Sequence, residues 1–217
     1  MTIRVLLVDD HPVVVGGIEA ALRSTPDIEV VSKAGSVAEA RRELARDDVD
    51  VALVDIRLPD GFGTSLIAEA AARGRPAVLM LSTYAYPQYI AAAVKLGAQG
   101  FILKTAPMGD IAASIRRIAA GGTAFSAEQL RASRAGVVNL TDREKDVLRL
   151  VLASNSNDEI AMELGLSRKT VESHLTRLFE RFEVTSRVEL ALRAEREGWL
   201  ELAQATQPDA QAGTRRG

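Results

Sequence analysis

The sequence has 217 residues, 47% of them apolar and 26% charged, with no cysteine and a formal net charge of −2. That length accommodates one or two domains with cores of their own, and the lack of cysteine excludes disulfides, thiolate zinc sites and thiol nucleophiles. Residues 1–125 carry 13 basic and 14 acidic side chains and residues 126–217 carry 14 and 15, so each half is −1 and any basic surface has to be local.

The first 120 residues alternate apolar runs with amphipathic segments. The runs are "IRVLLV" (3–8), "EVVSKA" (29–34), "DVALVD" (50–55), "AVLMLS" (77–82) and "GFILK" (100–104). They are rich in Val, Leu and Ile and mostly unbroken, as strands buried on both faces require. Helical patterns fall between them at about 13–24, 37–46, 64–72, 86–96 and 107–120, with Ser36 and Glu39 spaced as a capping box. Five strands alternating with five helices predict a parallel sheet covered on both faces. The first run is short and meets carboxylates at once, unlike a signal peptide, and no segment approaches the ~20 apolar residues of a membrane span. A cytoplasmic protein with no membrane partner is expected.

Residues 121–139, "GGTAFSAEQLRASRAGVVN", mix Gly, Ser and Arg and read as a linker with one short helix at Ala127–Ser133. From Leu140 the pattern is helical, with start signals at Thr141/Glu144, Ser167 and Ser186/Glu189. Gly165 in "ELGLS" marks a turn between a second helix (157–164) and a third (167–182), which is helix-turn-helix spacing. The polar tail after about Leu202 reads as disordered. The expected domains are thus 1–120, a linker at 121–139, a helical domain at 140–202 and a tail at 203–217.

Ligands of open parallel sheets bind beyond the carboxyl ends of the strands. Here those ends carry Asp9 and Asp10, then Asp55, Ser82 with Thr83, and Lys104. Three carboxylates on one edge repel unless a hard divalent cation offsets them, and an all-oxygen set suits Mg2+. Asp55, alone on the middle strand, is a candidate nucleophile toward phosphorus. Lys104 would neutralise the transferred phosphoryl group, and Ser82 would hydrogen-bond one of its oxygens.

The motifs "LLVDDHP", "VALVDIRLPDGFG", "LMLST" and "GAQGFILK" resemble the receiver domain of bacterial response regulators. The resemblance implies a flavodoxin-like α/β fold with strand order 2-1-3-4-5. It also implies that Asp55 takes phosphate from a sensor histidine kinase, while Asp9, Asp10 and Asp55, with the Arg57 backbone carbonyl, hold magnesium. Ser82 and Phe101 match the family's switch pair, and Pro59 and Gly61 match the loop after the phosphoacceptor. From its residue type alone, Phe101 reads as core packing rather than as a switch residue. Val15 stands where relatives usually carry a basic residue. His11 lies beside the acidic pair and has no assigned role.

On the third helix, Val171, Leu175, Leu178 and Phe182 form an apolar stripe opposite Lys169, Ser173, Thr176, Arg177 and Glu180. Periodicity alone fits a solvated face as well as a DNA-reading one. "LTDREKDVLRL", "NDEIAMELGLSRKTVESHLTRLFERF" and "TSRVELAL" resemble the LuxR-type helix-turn-helix, and the two domains together resemble the NarL/FixJ arrangement. This implies a C-terminal all-α domain of four helices. It directs Glu172, Ser173 and Thr176 toward bases and sets Arg168, Lys169, His174 and Arg177 near the DNA backbone; His174 reads equally as a packing residue. Ser154 replaces a common glycine, and Asp158 a common basic residue. The fourth helix (186–197) would supply a dimer contact on promoter DNA, with RNA polymerase as a further partner. The expected function is a two-component transcription regulator, not an enzyme, in which phosphorylation controls dimerisation and DNA binding. An aspartyl phosphohydrolase would need a general acid at position 57, where this chain has arginine. A regulator that ignores phosphorylation and uses the receiver only to dimerise is the other alternative.

Overall fold

Val5–Val8, Val51–Val54 and Leu79–Leu81 have no measurable exposure, which only a central sheet covered on both sides provides. The computed structural model describes residues 2–46, 48–135 and 140–200, which form two compact units divided after Gly136.

In the first unit the strands are β1 (Ile3–Val8), β2 (Ile28–Ala34), β3 (Val51–Asp55), the short β4 (Arg57–Leu58) and β5 (Gly61–Phe62), β6 (Ala77–Ser82) and β7 (Gly100–Leu103). The helices are α1 (Pro12–Leu22), α2 (Val37–Leu44), α3 (Ser65–Arg73), α4 (Pro87–Leu96), α5 (Met108–Ala119) and α6 (Ala127–Ala135). The main sheet is parallel with order β2-β1-β3-β6-β7, the order expected for the five long strands. The difference in labels comes from an antiparallel ribbon, β4–β5, inserted just after Asp55. Val5, Leu7, Leu53, Leu79 and Leu81 share one face with Ile18 and Leu22 of α1 and Ile111 and Ile115 of α5. Alternate residues such as Leu6, Val54 and Met80 point to the other face, where α2, α3 and α4 pack.

The Ser36 hydroxyl accepts from Glu39 N as expected, but the Glu39 carboxylate reaches Gly35 N instead of closing the box on Ser36. The stretch 121–135 packs on the first unit. Phe101 N donates to Ala124 O, Ala124 N donates to Gln99 O, and α6 lies against α4. A Cβ on Gly100 would meet Ala124 Cβ at 2.8 Å, so glycine is what admits this added segment to the edge of β7. The remainder of the expected linker, 136–139, and the tail at 203–217 lie outside the described residues.

The second unit contains α7 (Asp142–Leu152), α8 (Asn157–Leu164), α9 (Arg168–Arg181) and α10 (Arg187–Glu197). Thr141/Glu144 forms a full capping box, and so does Ser156/Glu159, which the sequence reading passed over. Glu189 reaches back one residue further than a box requires, to Thr185. The core joins Val147, Leu148, Ile160, Val171, Leu175, Leu178 and Leu190, with Phe182 packed on Trp199 at 3.9 Å between ring centroids.

Candidate functional site

Four of the five long strands of the first unit deliver a polar residue where the sheet ends; β2, which ends at Ala34, does not. Asp9 follows β1 and keeps the sheet spacing by donating its N–H to Ala34 O; Asp55 closes β3 and Ser82 closes β6. Lys104 follows β7, held by its N–H on Ser82 O at 2.7 Å. Its Nζ stands 2.7 Å from Asp9 Oδ2 and 2.9 Å from Asp55 Oδ2, bridging two buried carboxylates. Asp10, more exposed, comes within the same cluster: Asp9, Asp10, His11 and Asp55 each offer a ligand atom within 4.8 Å of the others. His11 Nδ1 lies 2.7 Å from Asp10 Oδ1 and 3.1 Å from Asp9 Oδ1, and His11 N donates to Asp9 Oδ1 at 2.9 Å.

Burial pushes the Asp55 carboxyl up from its ordinary range; the Lys104 ammonium and its hydrogen bond oppose that push without cancelling it. For Lys104, burial works against the charge, but the carboxylates of Asp9 and Asp55 beside it outweigh burial and leave the ammonium above its ordinary value. Both shifts describe an anion kept out of water and held by one fixed cation.

Asp9 Oδ2 makes no contact of hydrogen-bond geometry despite its short distance to Lys104 Nζ, so the contact is an ion pair that leaves lone-pair capacity on a buried oxygen. A buried anionic oxygen of that kind, beside the carboxylates of Asp10 and Asp55, fits a hard cation such as Mg2+.

The Ser82 hydroxyl donates to Tyr84 O at 2.8 Å and accepts from Tyr84 N at 3.2 Å, so it is turned into the loop before α4. Phe101 is buried, and its carbonyl accepts from Gln129 Nε2 of α6 at 3.2 Å. Arg57 is exposed in β4; its Nε donates to Tyr89 OH at 3.1 Å, and its guanidinium lies over the Phe62 ring.

In the second unit, Gly165 turns the chain from α8 to α9 with φ 63°, a left-handed conformation that suits glycine. The Ser167 hydroxyl then caps α9 by accepting from Thr170 N. Val171, Leu175 and Leu178 face the core, leaving Arg168, Lys169, Glu172, Ser173, Thr176 and Arg177 exposed and His174 half-buried. Thr176 Oγ1 donates to Glu172 O, so its hydroxyl proton is engaged within the helix. Arg168 is bound on two sides, to Asp158 Oδ2 at 3.1 Å and to Glu172 Oε1 at 3.0 Å.

Residues 5–116 match the response regulator receiver domain, and residues 138–194 match the luxR family of bacterial regulatory proteins. The chain belongs to the response-regulator family. This response regulator is 38% identical over 192 residues to the transcriptional regulatory protein MctR of Rhizobium johnstonii, covering 85% of this chain and 89% of that one. It is 32% identical over 203 residues to the nitrate/nitrite response regulator NarL of Escherichia coli, covering 87% and 93%. Among solved structures, RcsB of Salmonella enterica serovar Typhimurium bound to promoter DNA aligns with a TM-score of 0.70 at 24% identity, over 94% of this chain and all of that one, which establishes likeness of fold. The response regulator ChrA from a heme-sensing two-component system aligns at 0.54 with 32% identity, over 91% and 98%. The chain is a two-component response regulator with a LuxR-type DNA-binding domain, acting on transcription.

Several residues of this response regulator's site went unread in the sequence. Asp60 accepts from Val37 N at 2.7 Å and Ala38 N at 2.9 Å, pinning the β4–β5 ribbon to the first turn of α2. Those two backbone donors hold its carboxyl below the ordinary range. A Cβ on Gly63 would sit 2.0 Å from Asp55 O, so only glycine lets the ribbon close behind the strand end. The repeated glycines of "DGFG" were the available signal. Arg187 and Gln129 also escaped notice, because their partners (Asn157 at 3.0 Å, Phe101) are distant in sequence.

Proposed function

We propose that Asp55 is the phosphoacceptor of this response regulator and that its phosphorylation by a sensor histidine kinase shifts the protein toward a DNA-binding dimer. The observation that carries the reading is the Lys104 ammonium held between the buried carboxylates of Asp9 and Asp55. A carboxylate oxygen of Asp55 attacks the phosphorus of a phosphohistidine; the P–N bond breaks, and the imidazole leaves and takes up a proton. Asp9, Asp10 and Asp55, with the Arg57 carbonyl, would hold magnesium, which neutralises charge on the phosphoryl oxygens. Lys104 reaches the new phosphoryl group by exchanging its bond to Asp55 for one to a phosphoryl oxygen. The Ser82 hydroxyl leaves Tyr84 O for another of those oxygens, and Phe101 moves with it as the switch pair.

Phosphate adds close to two negative charges beside β7, and Gln129 links that strand's backbone to α6. The readout is a population shift, needing several kcal/mol of differential stabilisation for a large change in occupancy. On DNA, Glu172, Ser173 and Thr176 meet base edges while Arg168, Lys169, His174 and Arg177 meet phosphates. Val188 and Leu192, exposed one turn apart on α10, supply the apolar dimer contact, which spaces two α9 helices about one DNA turn apart. RcsB is described bound to promoter DNA in the presence of the phosphomimetic beryllofluoride, which supports the same use of the fold here. The reading gives the protein a cytoplasmic place and RNA polymerase as a downstream partner.

A phosphohydrolase reading is weaker, because the general-acid position carries no carboxyl but the Arg57 side chain, bonded to Tyr89 OH. The test is a DNA titration with and without beryllofluoride. Binding that tightens and a mass that doubles, with both effects lost in Asp55→Asn, support the reading; identical curves for the unmodified protein and the variant defeat it.

A further inference from the structure

We propose that Asp158 is an intramolecular competitor for DNA phosphate, occupying Arg168 and so limiting the affinity of the α9 face for duplex DNA. This rests on the reading of α9 as the DNA-facing helix. Asp158 is the second residue of α8 and Arg168 the first of α9, and the turn at Gly165 brings them together. The guanidinium meets Asp158 Oδ2 at 3.1 Å through one Nη and Glu172 Oε1 at 3.0 Å through Nε. Those are the planar, charge-assisted contacts a phosphate would otherwise receive. Lys169 and Arg177, also exposed on α9, have no ion pair among the described residues, so the restraint falls on Arg168.

All three side chains are largely exposed, at 62% for Arg168, 68% for Asp158 and 48% for Glu172. A pair this open to solvent is weak and reversible, so DNA can displace it, but each binding event must exchange one anion for another. The exchange cancels one cation's worth of counterion release, which lowers affinity and flattens its salt dependence. Glu172 stays beside Arg168 within the same helix, so freeing Asp158's hold leaves the base-facing carboxylate in place.

The test compares the full chain with Asp158→Asn, Arg168→Gln and the double variant by anisotropy on a mixed-sequence duplex of about 30 base pairs. Asp158→Asn is expected to bind roughly threefold tighter at ~0.1 M salt, with a log-affinity against log-salt slope steeper by about one. Asp158→Ser, which keeps a side-chain oxygen near the start of α8, should behave alike. Arg168→Gln is expected to weaken binding, and in its background the gain from Asp158→Asn should disappear. An equal gain with and without Arg168 would mean simple repulsion of DNA by Asp158 and overturns the competition. So does an unchanged affinity in Asp158→Asn when Arg168→Gln still weakens binding. Arg168→Gln with undiminished affinity defeats the placement of Arg168 on the DNA face, and the competition with it.

Discussion

Asp55 lies in a site that disfavours its own charge, and Lys104 compensates only in part. The consequence for stability has a definite sign. A carboxyl whose folded-state value is raised costs stability in its ionised form, so the cost is absent below the unfolded-state value and grows as pH rises through the folded-state value. Asp55→Asn is therefore expected to stabilise the first unit near neutral pH, with the gain fading at acid pH. Denaturant unfolding at several pH values, followed by circular dichroism, checks it; a gain independent of pH contradicts the burial argument. Gly63 makes a separate demand. With only 2.0 Å between its would-be Cβ and Asp55 O, Gly63→Ala must displace either the ribbon or the strand end. Phosphate labelling from acetyl phosphate should fall by more than tenfold in that variant, the loss expected when a reacting group is misplaced by about 1 Å. Labelling at the normal rate would show that the ribbon yields without moving Asp55. In the second unit, Ser154 holds φ 63°, a left-handed conformation that costs a residue other than glycine some backbone strain.

At the element scale, the long strands and the helices between them were legible because a parallel sheet covered on both faces writes continuous apolar runs into the chain. The "VALV" of β3 and the "VLML" of β6 are such runs, short, rich in branched residues and set between helical patterns. The β4–β5 ribbon was not legible, since two-residue strands have no periodicity to detect. Nor was the docking of residues 121–135, whose low apolar content resembles a linker; its attachment comes from backbone pairing at Ala124 and one side-chain amide at Gln129. Gln129→Ala removes the tie between α6 and the Phe101 carbonyl, at a cost of about 1 kcal/mol for a single hydrogen bond. Amides of α6 should then exchange with solvent several-fold faster while Asp55 remains open to labelling. Unchanged exchange would locate the hold on α6 in its packing against α4 alone. The α9 stripe shows a different limit. Apolar spacing identified its buried face, but the pairing of Arg168 with Asp158 joins two helices and could not be read from either one.

For the whole molecule, the site was more legible than the control of it. Strand-end carboxylates, a hydroxyl and an ammonium are local facts of sequence once the strands are recognised, and the family's topology gathers them on one edge. Which oxygen Lys104 bridges, where the Ser82 hydroxyl turns and which backbone group Gln129 holds are settled by packing at a distance. On the proposed function, those contacts decide how a charge placed on Asp55 would be felt in β7 and α6. All of it presupposes that Asp55 is the residue that carries the phosphoryl group. The most direct test is incubation of the full chain with acetyl phosphate and Mg2+, with the adduct counted by intact mass and located by peptide mapping after borohydride reduction. One adduct per chain at Asp55, absent from Asp55→Asn and from metal-free samples, is the expected result; an adduct of equal yield in Asp55→Asn, or one mapped to another residue, would contradict the account.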